Sequence, residues 1–158
     1  MYLCLETYFL PAMTNGKGGR EVDRKRVILI GDRWETQMLA ACALEGAGYD
    51  AITLFDKRRA VEAVKDIKPD LVLLDMDLPK LRSVQIVRSL RRDAATQNVP
   101  IIGIVSSGEE QAVAGRFNGL ADVFPQPFDK RTLLRKVRKV LRDGRTERNG
   151  RCGAGKLR

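Results

Sequence analysis

The chain contains no histidine. That single absence removes a Ser-His-Asp triad, a histidine-ligated metal centre and any phosphohistidine. If phosphoryl chemistry occurs here, the donor is another molecule. Cysteine is nearly as sparse. Cys4, Cys42 and Cys152 are far apart, odd in number and without metal-ligand spacing, which reads as a reducing compartment and a cytoplasmic location. No run approaches the roughly 18 apolar residues of a membrane-spanning helix. The apolar stretch Met1–Met13 carries Glu6 and lacks the basic leader of a secretory signal.

What remains is a globular composition, with 44% hydrophobic and 31% charged residues among 158. That length suits one domain and is too short for two. The net charge of +9 is unevenly placed: residues 130–158 carry +10 and the other 129 carry −1. The expected organisation is an N-terminal extension and Gly-rich linker over 1–25, a domain over 26–142, and a basic, disordered tail over 143–158.

Within the domain, apolar runs alternate with helical spacing. Val27 to Ile30, Ala51 to Leu54, Leu71 to Leu74, Ile101 to Val105 and Asp122 to Phe124 read as short buried strands. Between them lie helices marked by Leu39, Ala40, Ala43, Leu44 and Ala47, closed by Gly48; by Ala60, Val61, Val64 and Ile67, stopped by Pro69; and by Ile86, Val87 and Leu90. A weaker helix falls over 108–118. A clean apolar stripe of Leu133, Leu134, Val137, Val140 and Leu141 marks the last one. Five strands alternating with five helices predict an α/β fold, a parallel sheet covered on both faces. Functional residues of such sheets gather at the carboxyl ends of the strands, here Gly31, Asp32, Asp75, Val105, Ser106 and the stretch Pro125-Gln126-Pro127.

Four segments, in order and spacing, resemble those of response-regulator receiver domains. They are Pro69-Asp70-Leu71-Val72-Leu73-Leu74-Asp75-Met76-Asp77-Leu78-Pro79, Val99-Pro100-Ile101-Ile102, Gly119-Leu120-Ala121-Asp122 and Gln126-Pro127-Phe128-Asp129. Gly48-Tyr49 closes the first helix as the family does. The resemblance covers about three quarters of the chain. It implies the flavodoxin-like (CheY-like) three-layer sandwich, with a five-stranded parallel sheet of order 2-1-3-4-5.

The resemblance also implies a site, residue by residue. Asp75 takes the phosphoacceptor position. The two adjacent acids that bind Mg²⁺ fall on Gly31 and Asp32, so one is missing. The hydroxyl at the end of strand four falls on Val105, with Ser106 next to it and expected to point the other way. The Lys before the following Pro is Gln126, and the aromatic switch position is Val123. The expectation is a degenerate receiver: no required cofactor, weak Mg²⁺ binding through Asp32 and Asp75, and little phosphorylation-dependent switching. Asp77 reads as a plain loop residue.

Two other signals are discounted. Gly150 to Lys156 has phosphate-loop spacing, but Leu157 replaces the hydroxyl residue, so no nucleotide site is expected there. Asp75-Met76-Asp77 is similar to the paired acids of haloacid-dehalogenase phosphatases, without the later acidic pair those enzymes need. No enzyme activity is expected. The basic last helix, with Arg131, Arg135, Arg138, Lys139 and Arg142, is the candidate partner surface. It would serve a signalling protein, a histidine kinase or a downstream effector, or a second copy of the chain. Nucleic acid is less favoured because no aromatic residue interleaves the basic ones. A conventional receiver phosphorylated on Asp75 stands as the alternative.

Overall fold

A computed structural model of the chain describes residues 23–77 and 82–150, the last six of them by backbone alone. The strands are β1 (Arg26–Ile30), β2 (Asp50–Leu54), β3 (Leu71–Asp75), β4 (Ile101–Ser106) and β5 (Asp122–Gln126). The helices are α1 (Trp34–Gly46), α2 (Ala60–Ile67), α3 (Arg82–Arg92), α4 (Glu110–Arg116) and α5 (Lys130–Gly150), with a 3-10 turn at Lys57–Arg59. The five strands are all parallel, in the order β2-β1-β3-β4-β5. The expected fold class is the one observed.

Strands β1, β3 and β4 are largely buried because alternate residues feed two separate cores. Val27 and Leu29 of β1, Leu71 and Leu73 of β3, and Ile102 and Ile104 of β4 face α1 and α5, meeting Ala40, Leu44, Leu133 and Val137. Ile28, Ile30, Val72 and Leu74 face the other way, onto Ala63 and Val64 of α2 and Ile86 and Leu90 of α3. All five residues of β3 are buried. That central place explains why β3 is the most uniformly apolar strand, and why it delivers Asp75 into a shielded position.

The helix boundaries have local causes. Gly48, at φ 89°, takes the left-handed conformation that glycine favours and ends α1 as expected. Asp129 caps α5 by accepting from the backbone N–H of Thr132 at 2.7 Å and its hydroxyl at 3.1 Å. The weak helix over 108–118 is α4, none of whose residues is buried. One boundary differs from expectation. α5 does not end at Arg142 but continues through Asp143 to Gly150. Beyond Leu141 those positions carry no apolar residue, so the stripe that marks a packed helix stops before the helix does. The rest of the tail, 151–158, lies outside the described residues, as do 1–22 and Leu78-Pro79.

Candidate functional site

The carboxyl ends of β1, β3, β4 and β5 converge around two aspartates two residues apart. Asp75, the last residue of β3, is only 6% exposed. Its Oδ1 accepts the backbone N–H of Asp77 at 3.0 Å. Burial pushes its carboxyl above the ordinary range, and the charges of Asp77 and Asp32 push the same way. The Asp77 N–H and the Arg33 guanidinium oppose the shift without cancelling it.

Asp77 is the hub of the site rather than a plain loop residue. Its Oδ2 accepts from the Ser106 hydroxyl at 2.5 Å and from Gln126 Nε2 at 3.3 Å. Its Oδ1 accepts the Ser106 N–H at 3.2 Å, and Arg33 stands 3.7 Å from Oδ2. Gln126 is held in turn by Thr36 of α1, whose hydroxyl donates to Gln126 Oε1 at 3.2 Å. One carboxylate therefore ties β4, β5 and the start of α1 together. Ser106 was expected to face away from the site. As the last residue of β4, paired with Gln126 of β5, it turns its hydroxyl to Asp77 instead. The network opens onto a cleft of about 350 Å³ between α1 and the β5–α5 junction, lined by Arg33, Thr36, Leu39, Ser106, Gln126 and Phe128.

The other flank of Asp75 is arranged differently. Gly31 is buried at the end of β1 and offers no side chain. Asp32, half exposed, forms an ion pair with Lys57 of the 3-10 turn, whose side chain is largely covered. Val105 is fully buried in β4, and Val123 is buried in β5 opposite Gly103. Neither supplies a hydroxyl or a ring to the site.

Mg²⁺ requires several hard oxygen ligands and charge neutralisation. The donor set here does not fit it. Gly31 contributes no carboxylate, Asp32 is engaged by an ammonium group, and Asp77 is engaged by Ser106 and Gln126. Among the described residues no cluster of three or more acidic or cysteine side chains is placed to hold a metal ion.

The structure thus brings Asp75, Asp32, Gly31 and Gln126 to one end of the sheet, with Asp77, Ser106, Arg33, Thr36 and Lys57 added. The Asp75-x-Asp77 spacing was the available signal for the second acid. Arg33, Thr36 and Lys57 gave none, because their roles depend on how α1 and the 3-10 turn pack. The candidate partner residues lie apart on α5. Arg131, Arg135, Arg138 and Arg142 recur at intervals of four, three and four residues on one exposed face, with Lys139 beside them. Arg135, Arg138 and Lys139 form no ion pair among the described residues. Lys136 does, binding Asp122 at 2.8 Å and the Val123 carbonyl at 2.9 Å.

A model of the response regulator receiver domain matches residues 27–138. The chain is 34% identical over 119 residues to the phosphate regulon transcriptional regulatory protein PhoB of Pseudomonas aeruginosa, covering 75% of this chain and 52% of that protein. It is 33% identical over 124 residues to the DNA-binding dual master transcriptional regulator RpaA of a Synechocystis species, covering 78% and 51%. It spans about half the length of these curated relatives. Among solved structures, the chemotaxis response regulator CheY4 of Vibrio cholerae superposes with a TM-score of 0.67 at 22% identity, covering 74% of this chain and 98% of that one. A response regulator from Desulfuromonas acetoxidans gives 0.66 at 21%, covering 75% and 97%. At those identities the structural likeness speaks for the fold.

Proposed function

The chain belongs to the response-regulator receiver family, and from that premise we propose that it is a signalling module acting by protein contact, with an output independent of a phosphoryl group on Asp75. One observation carries the reading: Ser106 and Gln126, the polar side chains that end β4 and β5, already bind Asp77. A receiver reads phosphorylation when donors on neighbouring strands move to the new phosphoryl oxygens and so bias a two-state element. Here an internal carboxylate engages those donors. Gln126 adds no cation to offset the roughly 1.5–2 negative charges of a phosphoryl group. Val105 adds no hydroxyl.

The output surface in this reading is the exposed face of α5. Its arginines fit an acidic protein, an effector or a kinase, because guanidinium groups pair bidentately with carboxylates. Nothing in the site calls for catalysis, and the protein would work in the cytoplasm as a binding module. A second reading, nucleic-acid binding by α5 and the tail, is favoured by the +10 charge of residues 130–158. It predicts a steep fall of affinity with salt.

The deciding experiment compares Asp75→Asn with the double reversal Arg135→Glu/Lys139→Glu in a deletion strain, with folding checked by thermal melts. Asp75→Asn is expected to retain function, and the helix variant to lose it while remaining folded. Loss with Asp75→Asn and retention with the helix variant would identify a conventional phosphorylated receiver. A stable complex with a defined DNA sequence at physiological salt would establish the second reading instead.

A further inference from the structure

The surroundings of Gly31 bear on what stands where this family places a divalent ion. A Cβ added at Gly31 would lie 3.0 Å from the Asp75 Cβ, 3.1 Å from Gln37 Nε2 and 3.5 Å from Asp75 Oδ2. A side chain at Gly31 would therefore press on Asp75 and on the carboxamide of Gln37, which stands against the Gly31 carbonyl. Gln37 sits in the first turn of α1 and is only 5% exposed. It donates Nε2 to the Gly31 carbonyl, while its Oε1 has no partner among the described residues. An orphaned buried acceptor is costly, so hydrogen bonding alone does not account for a glutamine at this place. On the outer side, the mostly covered Lys57 brings its ammonium group to Asp32, the one remaining acid of the pair.

We propose that the chain fills the metal place with its own side chains, the Gln37 carboxamide over Gly31 and the Lys57 ammonium on Asp32, so that Asp75 is housed without a divalent ion. The two substitutes divide the work of a cation. Lys57 neutralises Asp32, which would otherwise stand as a second negative charge near Asp75. Gln37 takes up volume that would otherwise admit water or an ion, and adds no charge. The inference rests on the geometry of β1, α1 and the 3-10 turn. It holds whether or not Asp75 is ever phosphorylated, so it can fail without the functional reading failing, and the reverse.

Restoring the missing acid alone should therefore not rebuild the site. In Gly31→Asp the new Cβ meets the Cβ of Asp75, which has little freedom to move, and the Gln37 amide, which must shift to admit it. Gln37→Glu is the better probe. It is nearly isosteric, adds no side chain at Gly31, and puts a carboxylate oxygen where the plug stands, at the cost of the bond from Gln37 Nε2 to the Gly31 carbonyl.

Mn²⁺ binding to the full chain, measured by calorimetry or by the loss of the free-ion electron paramagnetic resonance signal, tests the proposal without any activity readout. The unaltered protein is expected to show no saturable sub-millimolar binding. Gln37→Glu should gain at least ~10-fold in affinity, in the range that neighbours of metal ligands typically control. Adding Lys57→Ala, which frees Asp32, should gain more. Gly31→Asp should gain little, and Gly31→Asp/Gln37→Ala should gain clearly more than Gly31→Asp. Three results would overturn the proposal. They are tight binding by the unaltered protein, equal gains from Gly31→Asp with and without Gln37→Ala, or a Gln37→Glu protein that melts normally and binds no better. If the Gly31 variants fail to fold, the Gln37→Glu result decides alone.

Discussion

The two ends of the sheet solve the same problem with different residues. At the amino-terminal end, Arg91 of α3 donates to the carbonyl of Gly119 at 3.0 and 2.6 Å, of Gln97 at 3.0 Å and of Val99 at 2.8 Å. It has no carboxylate partner among the described residues, and its fork locks the approach to β4 against the turn before β5. Gly119 has no room for a side chain there, since a Cβ would fall 2.5 Å from Val87 Cγ1. Asp70 does the same for β1, accepting the Arg26 N–H at 2.9 Å and Lys25 at 3.2 Å. At the carboxyl end, Asp77 is the organising group, with Ser106, Gln126, Arg33 and Thr36 around it. The segments that resemble the receiver family at the amino-terminal end, around Asp70, Val99-Pro100 and Gly119, coincide with the scaffold contacts. Three of the positions that depart from it, Gly31, Val105 and Gln126, are at the other end, while the fourth, Val123, lies near the start of β5. A sheet can keep its frame while the hydrogen bonds at one end are rewired, provided most buried groups still find a partner.

The comparison is easiest to break at the frame. Arg91→Ala leaves the carbonyls of Gly119, Gln97 and Val99 without their donor. It is expected to cost about 2–4 kcal/mol, because partly buried acceptors lose charge-assisted bonds. For a chain of this size that is roughly a 6–15 °C fall in Tm, checked by thermal and urea melts. Arg91→Lys should recover only part of the loss, since an ammonium group cannot span three carbonyls in the planar fork of arginine. A fall of less than a degree would mean that the amino-terminal end is not the frame it is taken to be.

At the carboxyl end the effect should be smaller and local. Asp77→Ala removes the acceptor of Ser106 and Gln126, but both donors are only half-buried and can turn to water. About 1–2 kcal/mol of stability should be lost. The larger signature is spectroscopic, with amide shifts concentrated at Ser106, Gln126 and Thr36 and little change at Arg91 or Gly119. Shifts spread evenly over both ends would show that the two are coupled and the contrast false.

How much of this was legible in the sequence follows from the same contrast. The fold was, because apolar periodicity, Gly48 and Pro69 act locally, and because the frame motifs are short and contiguous. The losses at Gly31, Val105 and Gln126 were legible by position. Their replacements were not. Asp77 was read as a loop residue, since nothing in Asp75-Met76-Asp77 says that Ser106, 29 residues on, and Gln126, 49 residues on, will donate to it. Ser106 keeps the alternation, on the face that Ile102 and Ile104 present to α1 and α5, and nothing in the sequence says that Asp77 reaches that face. Gln37 and Lys57 act only through the approach of α1 and the 3-10 turn to β1. The continuation of α5 past Arg142 leaves no apolar period to read.

The smallest expected effect tests whether Asp75 stands without a counter-ion. Its carboxyl is raised above the ordinary value of 3.8, chiefly by burial. The folded state therefore binds the proton more tightly than the unfolded chain does. Below about pH 3.8 both states are protonated and the group is no burden. As the pH rises from there through the folded pKa, the ionised carboxylate must be held in a poorly solvated place, and stability is lost. Asp75→Asn is uncharged throughout and keeps an oxygen to accept the Asp77 N–H. It should melt about 2–4 °C above the unaltered protein at pH 7, and the difference should shrink towards zero as the pH falls to the ordinary carboxyl range. Melts of both proteins between pH 3.5 and 7.5, with and without Mg²⁺, give the comparison directly. If Asp75→Asn melts lower at pH 7, the charge on Asp75 is stabilising, which requires a cation that neither Arg33 nor Lys57 supplies. If Mg²⁺ alone reverses the order, that cation is the metal ion, and the carboxyl end of the sheet has kept more of the family's chemistry than its hydrogen bonds imply.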